Sequence, residues 1–147
     1  TFSKVYGLAG LRIGYGFAHR NLISNLMKVK LPFEPSIPAQ SAAIAALDDF
    51  EYLDATLSLN NRQMIKIQNE FDKRKLIYIP SSANFVTLVF ENESIAANFA
   101  RQFLQVGIIL RHLNSFGLPE CVRVTIGKDS EMVHFFDKLD SVLEKIK

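Results

Sequence analysis

Thr1-Phe2-Ser3-Lys4-Val5-Tyr6-Gly7-Leu8-Ala9-Gly10-Leu11-Arg12-Ile13-Gly14-Tyr15 sets one lysine among apolar side chains and glycines. Gly7, Gly10, Gly14 and Gly16 lie within ten residues, a density that marks tight turns and close backbone approach. Burial of a lysine in such surroundings disfavours its charged form and leaves the neutral amine, the form that adds to an aldehyde. Ser3 and Thr1 offer hydroxyls and Arg12 a guanidinium, a donor set suited to a phosphate dianion. The glycines would let the backbone pack against a flat ring. The same residues also fit a surface lysine beside a turn, with Arg12 in an ordinary ion pair.

Working outward, Leu11 to Ala18 reads as a short strand. Leu22, Ile23, Leu26 and Met27 make a helical stripe over residues 21–30. Pro32, Pro35 and Pro38 then break the pattern, the clearest linker in the chain. Ala39 to Leu47 is a helix of small residues. Asp48 followed by Glu51 matches a capping box, and Phe50, Leu53, Leu57, Met64, Ile67 and Phe71 continue at helical spacing. A long helix is therefore expected over about residues 50–74.

Residues 76–147 read as an α+β unit. Leu76 to Ile79 is a short strand, Pro80-Ser81-Ser82 a turn, and Phe85 to Phe90 a strand buried on both faces. Ile95, Phe99 and Phe103 form a helical stripe that Gly107 terminates. Ile108 to Leu113 is the next expected strand, and Phe116-Gly117-Leu118-Pro119 a loop. Val122, Val124 and Ile126 alternate with Arg123 and Thr125, the mark of a strand with one polar face. Met132, Phe136, Leu139, Leu143 and Ile146 make a closing amphipathic helix.

Composition narrows the function classes. The chain has 147 residues, 48% hydrophobic and 22% charged, which suits one ordinary domain or two small ones with a real core. The net charge is +2 and the basic residues are scattered among acids, so no nucleic-acid footprint is read. No apolar run approaches the ~20 residues that span a bilayer. Cys121 is the sole cysteine, which leaves no internal disulfide and fits a reducing cytoplasm. It should sit in the core. His19, His112 and His134 are too scattered for a metal site, and Asp48-Asp49 reads as a cap rather than a catalytic dyad.

Two arginines near the end remain. Arg123 lies on the polar face of its strand, and Arg111 interrupts an apolar one. A charge in such surroundings needs a partner, since burying it alone costs several kcal/mol. No acid is adjacent in sequence to either. A salt bridge to a distant carboxylate, an exposed edge, or capture of an anionic ligand through parallel hydrogen bonds would each satisfy them.

The opening fifteen residues closely resemble the lysine motif of fold-type-I aminotransferases, which depend on pyridoxal 5′-phosphate. The resemblance implies that Lys4 is the catalytic lysine that carries the cofactor and later moves the proton between the substrate α-carbon and cofactor C4′. It implies that Arg12 grips the cofactor phosphate, with Ser3 and Thr1 sharing it. Pro32-Phe33-Glu34-Pro35-Ser36-Ile37-Pro38-Ala39-Gln40 is similar to the family's interdomain segment, and Pro80-Ser81-Ser82-Ala83-Asn84-Phe85-Val86 to its small-domain strand. Gly107-Ile108-Ile109-Leu110-Arg111 and Leu118-Pro119-Glu120-Cys121-Val122-Arg123-Val124-Thr125-Ile126-Gly127 resemble the substrate-site strands of the histidinol-phosphate aminotransferases. By that likeness Arg123 would hold a substrate α-carboxylate and Arg111 would help bind a phosphate end. One departure is Lys73-Arg74-Lys75, where the family places a glycine after the long helix.

The implied fold is a part of the fold-type-I α/β aminotransferase fold. Residues 1–35 would end the large cofactor domain, residues 36–75 would form an interdomain helical segment, and residues 76–147 a small α+β domain. The implied activity is transamination of histidinol phosphate with 2-oxoglutarate in histidine biosynthesis, in the cytoplasm and as a homodimer. The partners would be a small-molecule amino donor and a 2-oxo acid. An aromatic amino-acid aminotransferase or a threonine-phosphate decarboxylase shares the fold, and a non-catalytic α+β small-molecule-binding domain is the alternative of another class. The expected piece is carboxy-terminal and inactive alone. The preceding half would supply an Asp for the pyridine nitrogen, an Asn and a Tyr for the ring oxygen, and further phosphate donors.

Overall fold

The computed structural model describes residues 1–146. The chain divides into two compact units, Thr1–Leu57 and Ser58–Lys147.

The first unit is helical. α1 spans Arg20–Val29, and the ring Nδ1 of His19 accepts from Asn21 N–H at its start. α2 spans Ile37–Asp48; Ser36 Oγ accepts from Ala39 N–H and Pro38 sits in the first turn, where its missing N–H costs nothing. α3 spans Phe50–Lys73 and crosses the division. Its cap is Asp49, whose Oδ1 accepts from Tyr52 N–H at 3.0 Å. The expected box of Asp48 and Glu51 is thus one residue off, because Asp48 is the last residue of α2. Residues 11–18, expected as a strand, carry none. Leu11 closes a short 3₁₀ turn that begins at Ala9, and beyond it a single backbone bond, Phe2 N–H to Ile13 C=O, stands where a strand would need a ladder. α1 has no buried residue, and Leu22, Leu26 and Met27 of its apolar stripe are exposed.

The second unit is an antiparallel sheet with helices on one face. β1 (Tyr78–Ile79), β2 (Phe85–Val89), β3 (Arg111–His112) and β4 (Cys121–Thr125) take the order β1-β2-β4-β3. α4 (Glu93–Gln105) and α5 (Asp129–Lys145) follow β2 and β4. Val86, Leu88, Val122 and Val124 point into the core, where they meet Met64, Ile67 and Phe71 of α3, Phe99 and Phe103 of α4, and Met132, Phe135, Leu139 and Val142 of α5. Phe99 meets Phe103 edge to face and Phe103 stacks on Phe135, with 4.8 and 4.9 Å between successive centroids. Such pairs add to the hydrophobic gain of simple burial.

β2 is buried at Val86, Thr87 and Leu88, consecutive residues on alternate faces, as its apolar run predicts. The strand expected over Ile108 to Leu113 shrinks to two residues. Gly107, at φ +81°, ends α4 in a left-handed cap, and Ile108 N–H is taken by Phe103 C=O. Ile109 then stands out in solvent. The α5 stripe is rotated from its expected face: Phe135 and Val142 are buried, while Phe136 and Leu143 are only partly so. At the end of α3, Lys75 adopts φ +54°. Its N–H bonds Asp72 C=O, and Leu76 N–H bonds Phe71 C=O. A lysine therefore occupies the seat that favours glycine, at the position where the sequence departs from the aminotransferase pattern.

Candidate functional site

The lysine loop lies in the first unit and is pinned by Phe2, its buried residue. Phe2 N–H bonds Ile13 C=O, and Leu8 N–H bonds Phe2 C=O. The rings of Tyr6 and Tyr15 pack on Phe2 at 5.0 and 5.8 Å. Gly7 turns the chain at φ +68°, with its N–H on Lys4 C=O. The positive φ favours glycine here, and a Cβ would stand 2.6 Å from Tyr52 Oη, so a side chain would also have to displace that exposed ring. After the 3₁₀ turn, Arg12 takes a left-handed conformation, φ 53° and ψ 48°, which returns the chain alongside Thr1. Gly14 passes so close that its Cβ would meet Thr1 Cα at 3.4 Å. Thr1, Ser3, Lys4 and Arg12 thereby belong to one closed loop.

Lys4 is exposed. The expected desolvation is not provided by this loop, because its apolar neighbours turn toward Phe2 and leave the lysine outside. Arg12 Nη1 donates to Ala9 C=O at 2.7 Å, which fixes the guanidinium at one corner and leaves its other donors for a ligand. Thr1 Oγ1 accepts from Ser3 N–H at 3.2 Å and keeps its own proton to donate. The ion-pair alternative for Arg12 finds no support: among the described residues no carboxylate is within ion-pair distance of it. The sequence carries a signal of this outside the motif itself. Residues 1–33 contain Lys4, Arg12, Arg20, Lys28 and Lys30 and no Asp or Glu. A non-glycine residue in the left-handed region is strained backbone of the kind that clusters at ligand sites. Two hydroxyls, a tethered guanidinium and an acid-free surround fit a phosphate monoester dianion such as that of pyridoxal phosphate.

The second unit holds the arginines. In the antiparallel register Arg111 of β3 is directly opposite Arg123 of β4, and Arg123 is opposite Thr87 of β2. All three share the sheet face opposite the core. Like charges directly opposite destabilise a strand pair, and among the described residues neither arginine has a carboxylate partner. Instead each guanidinium carbon lies over a ring: Arg123 over Phe85 at 5.2 Å, Arg111 over Phe116 at 5.7 Å. Arg123 Nε is buried without a hydrogen-bond partner. Three acids of this unit are paired with other cations. Lys73 and Arg74 hold Glu70, Arg74 holds Asp140, and Arg62 and Gln63 hold Asp129, which keeps all three carboxyls below their ordinary titration range. The doubly positive face suits anionic ligands.

The remaining candidates are structural. Cys121 is buried, and burial, reinforced by Glu120, pushes its thiol up. His112 bonds Pro119 C=O through Nε2, and His134 bonds Val106 C=O. Among the described residues no group of three His, Cys, Asp or Glu is placed to hold a metal ion, and no helix is long and apolar enough to cross a membrane.

A family model, aminotransferase class I and II, matches residues 1–139. A histidinol-phosphate aminotransferase of Campylobacter jejuni is 43% identical over 144 residues, which cover 97% of this chain and 39% of that protein. Another, from Aliarcobacter butzleri, is 38% identical over 146 residues, 99% of this chain and 40% of its own length. The chain thus spans about 40% of the length of these curated relatives. Among solved structures, histidinol-phosphate aminotransferase from Sinorhizobium meliloti in complex with pyridoxal-5′-phosphate superposes with a TM-score of 0.91 at 30% identity, over all of this chain and 40% of that one.

Proposed function

The chain belongs to the class I and II aminotransferase family, and from that premise we propose that the whole protein transfers the amino group of histidinol phosphate to 2-oxoglutarate, with pyridoxal 5′-phosphate as cofactor, in cytoplasmic histidine biosynthesis. The chain carries a part of the fold-type-I aminotransferase fold. The observation that carries the reading is the acid-free loop joining Lys4 to Thr1, Ser3 and Arg12. The names of the relatives support the substrate.

In this reading Thr1, Ser3 and Arg12 hold the cofactor phosphate. When bound, the cofactor supplies the electron sink for charge developing at the substrate α-carbon. Lys4 would hold the cofactor aldehyde and, once released by the amino donor, would carry the proton from the substrate α-carbon. Lys4 is exposed, and no side chain of the described residues holds its amine. Arg123 pairs with the α-carboxylate of the 2-oxo acid through two parallel bonds, and Arg111 with the phosphate of the amino donor. Histidinol phosphate has no carboxylate, so separate guanidiniums suit the two half-reactions. The whole protein would work as a homodimer.

The test is borohydride reduction of the whole protein loaded with cofactor, followed by peptide mapping, beside an assay with histidinol phosphate and 2-oxoglutarate. The expected result is turnover and a pyridoxyl label on Lys4. A label on another lysine would sink the cofactor assignment.

A further inference from the structure

The sheet face that presents Arg123 raises a question that charge alone does not answer. Arg123 Nε is buried and unpartnered, although a guanidinium donor shut away from water normally finds an acceptor. Something other than hydrogen bonding therefore sets the side chain's direction. The register identifies it. Arg123 is opposite Thr87, and Phe85 stands two residues before Thr87 on the same strand and therefore on the same face, diagonal to Arg123. That diagonal is within reach of a long side chain, and the guanidinium carbon lies 5.2 Å from the Phe85 centroid. β2 and β3 flank β4 on opposite sides. By leaning on Phe85, Arg123 leans away from the strand that carries Arg111.

We propose that Phe85 is a positioning residue, which holds the Arg123 guanidinium toward β2 as a carboxylate receiver separate from Arg111. The ring face attracts the cation and, lying over it, leaves the plane of the guanidinium for the ligand. With Nε covered, the Nη1–Nη2 edge is the one left to make two parallel bonds. The ring also offsets the repulsion expected of two cations paired across neighbouring strands, so each can serve its own anion. Without the ring, the Arg123 side chain would sample several rotamers, and two-point recognition would lose its preset geometry. This role rests on the reading of Arg123 as the carboxylate-binding arginine.

The experiment compares the whole protein with its Phe85→Leu and Phe85→Tyr variants. It measures steady-state kinetics with 2-oxoglutarate, and calorimetric binding of glutarate, an unreactive dicarboxylate. Phe85→Leu should raise KM for 2-oxoglutarate and weaken glutarate binding by about 2- to 30-fold, with kcat nearly unchanged. Phe85→Tyr should restore both, since it keeps the ring face. Equal glutarate affinity in wild type and Phe85→Leu overturns the positioning role whatever the turnover. So does a Tyr variant as weak as the Leu variant, or a fall in kcat with KM unmoved. A wild-type protein that binds glutarate through Phe85 and turns over no substrate would overturn the functional reading and leave the positioning role standing. Failure of the wild type to bind glutarate overturns both.

Discussion

The two units solve the problem of burial in opposite ways. In Ser58–Lys147 the rings of Phe99 and Phe103 on α4, Phe135 on α5 and Phe71 on α3 meet over one face of the sheet, and the core closes on itself. In Thr1–Leu57 the buried hydrophobics are Phe2, Ala39 and Ala43, while Phe17, Leu22, Leu26, Met27, Leu31 and Phe33 face outward. The unit with the lysine loop is therefore the one with little core of its own. The candidate cofactor residues sit on a loop closed by a few backbone hydrogen bonds, and the candidate anion-binding arginines on a sheet held by packing. That division predicts that stability and reactivity can be perturbed separately.

The sharpest separation concerns Lys4. In the whole protein Lys4→Ala should lower kcat by at least about 100- to 10,000-fold, the range typical of a lost proton-transfer group. Its exposed position predicts no change in thermal unfolding. A lysine variant that unfolds early would show that the loop is structural. Next in size, Phe103→Ala should destabilise the chain by about 3–5 kcal/mol in urea unfolding, as a fully buried ring is lost. Leu26→Ala, at an exposed site on α1, should move stability by no more than about 0.5 kcal/mol in this chain. Similar costs at the two positions would break the comparison.

Smaller effects sharpen it within the sheet unit. Arg123→Lys keeps the charge and loses the fork, so KM for 2-oxoglutarate should rise about 10-fold. Arg111→Ala should instead weaken the phosphorylated donor, and equal losses for both substrates would refute its separate duty. Lys75→Gly should add about 1 kcal/mol of stability, because the left-handed cap at φ +54° no longer strains a side chain; a loss on substitution would show that the lysine side chain matters more than its backbone. The smallest effect is in acid. Glu70 and Asp140 are held below their ordinary values by Arg74, with Lys73 the first contributor at Glu70. A depressed carboxyl stabilises the fold above its unfolded value, near pH ~4, and that contribution disappears as pH falls through the lower folded value. Arg74→Met should therefore flatten the fall in Tm on acidification from about pH 5 to about pH 2. An equally steep fall in the variant would show that these ion pairs contribute nothing in acid.

How much of this can be read from sequence follows the range of the interactions. Helical stripes are legible because each is set by residues three and four apart: Phe99 and Phe103 fall as their spacing predicts. The Lys4 motif is legible because its donors are within twelve residues of one another. Elements that need a distant partner are not. Leu11 to Ala18 is apolar enough for a strand and has no strand beside it, and Ile108 to Leu110 is diverted by the hydrogen bond that caps α4. The opposition of Arg111 and Arg123 depends on the register between two strands, which local pattern does not specify. The buried face of α5 differs by one residue from the expected one, since Phe135 and Phe136 are both apolar and the distant rings of Phe71 and Phe103 select between them.

Gly7 carries a consequence for anyone building libraries on this loop. Two obstacles of different kinds oppose side chains there: a backbone at φ +68° and the Tyr52 hydroxyl 2.6 Å from where a Cβ would stand. Removing the hydroxyl with Tyr52→Phe clears the second and leaves the first untouched. Randomising position 7 alone should return glycine predominantly. Randomising it on the Tyr52→Phe background should admit asparagine first, the side chain that best tolerates the left-handed region, and β-branched residues last. The tyrosine on α3 thus sets the alphabet allowed at a position 45 residues earlier in the chain.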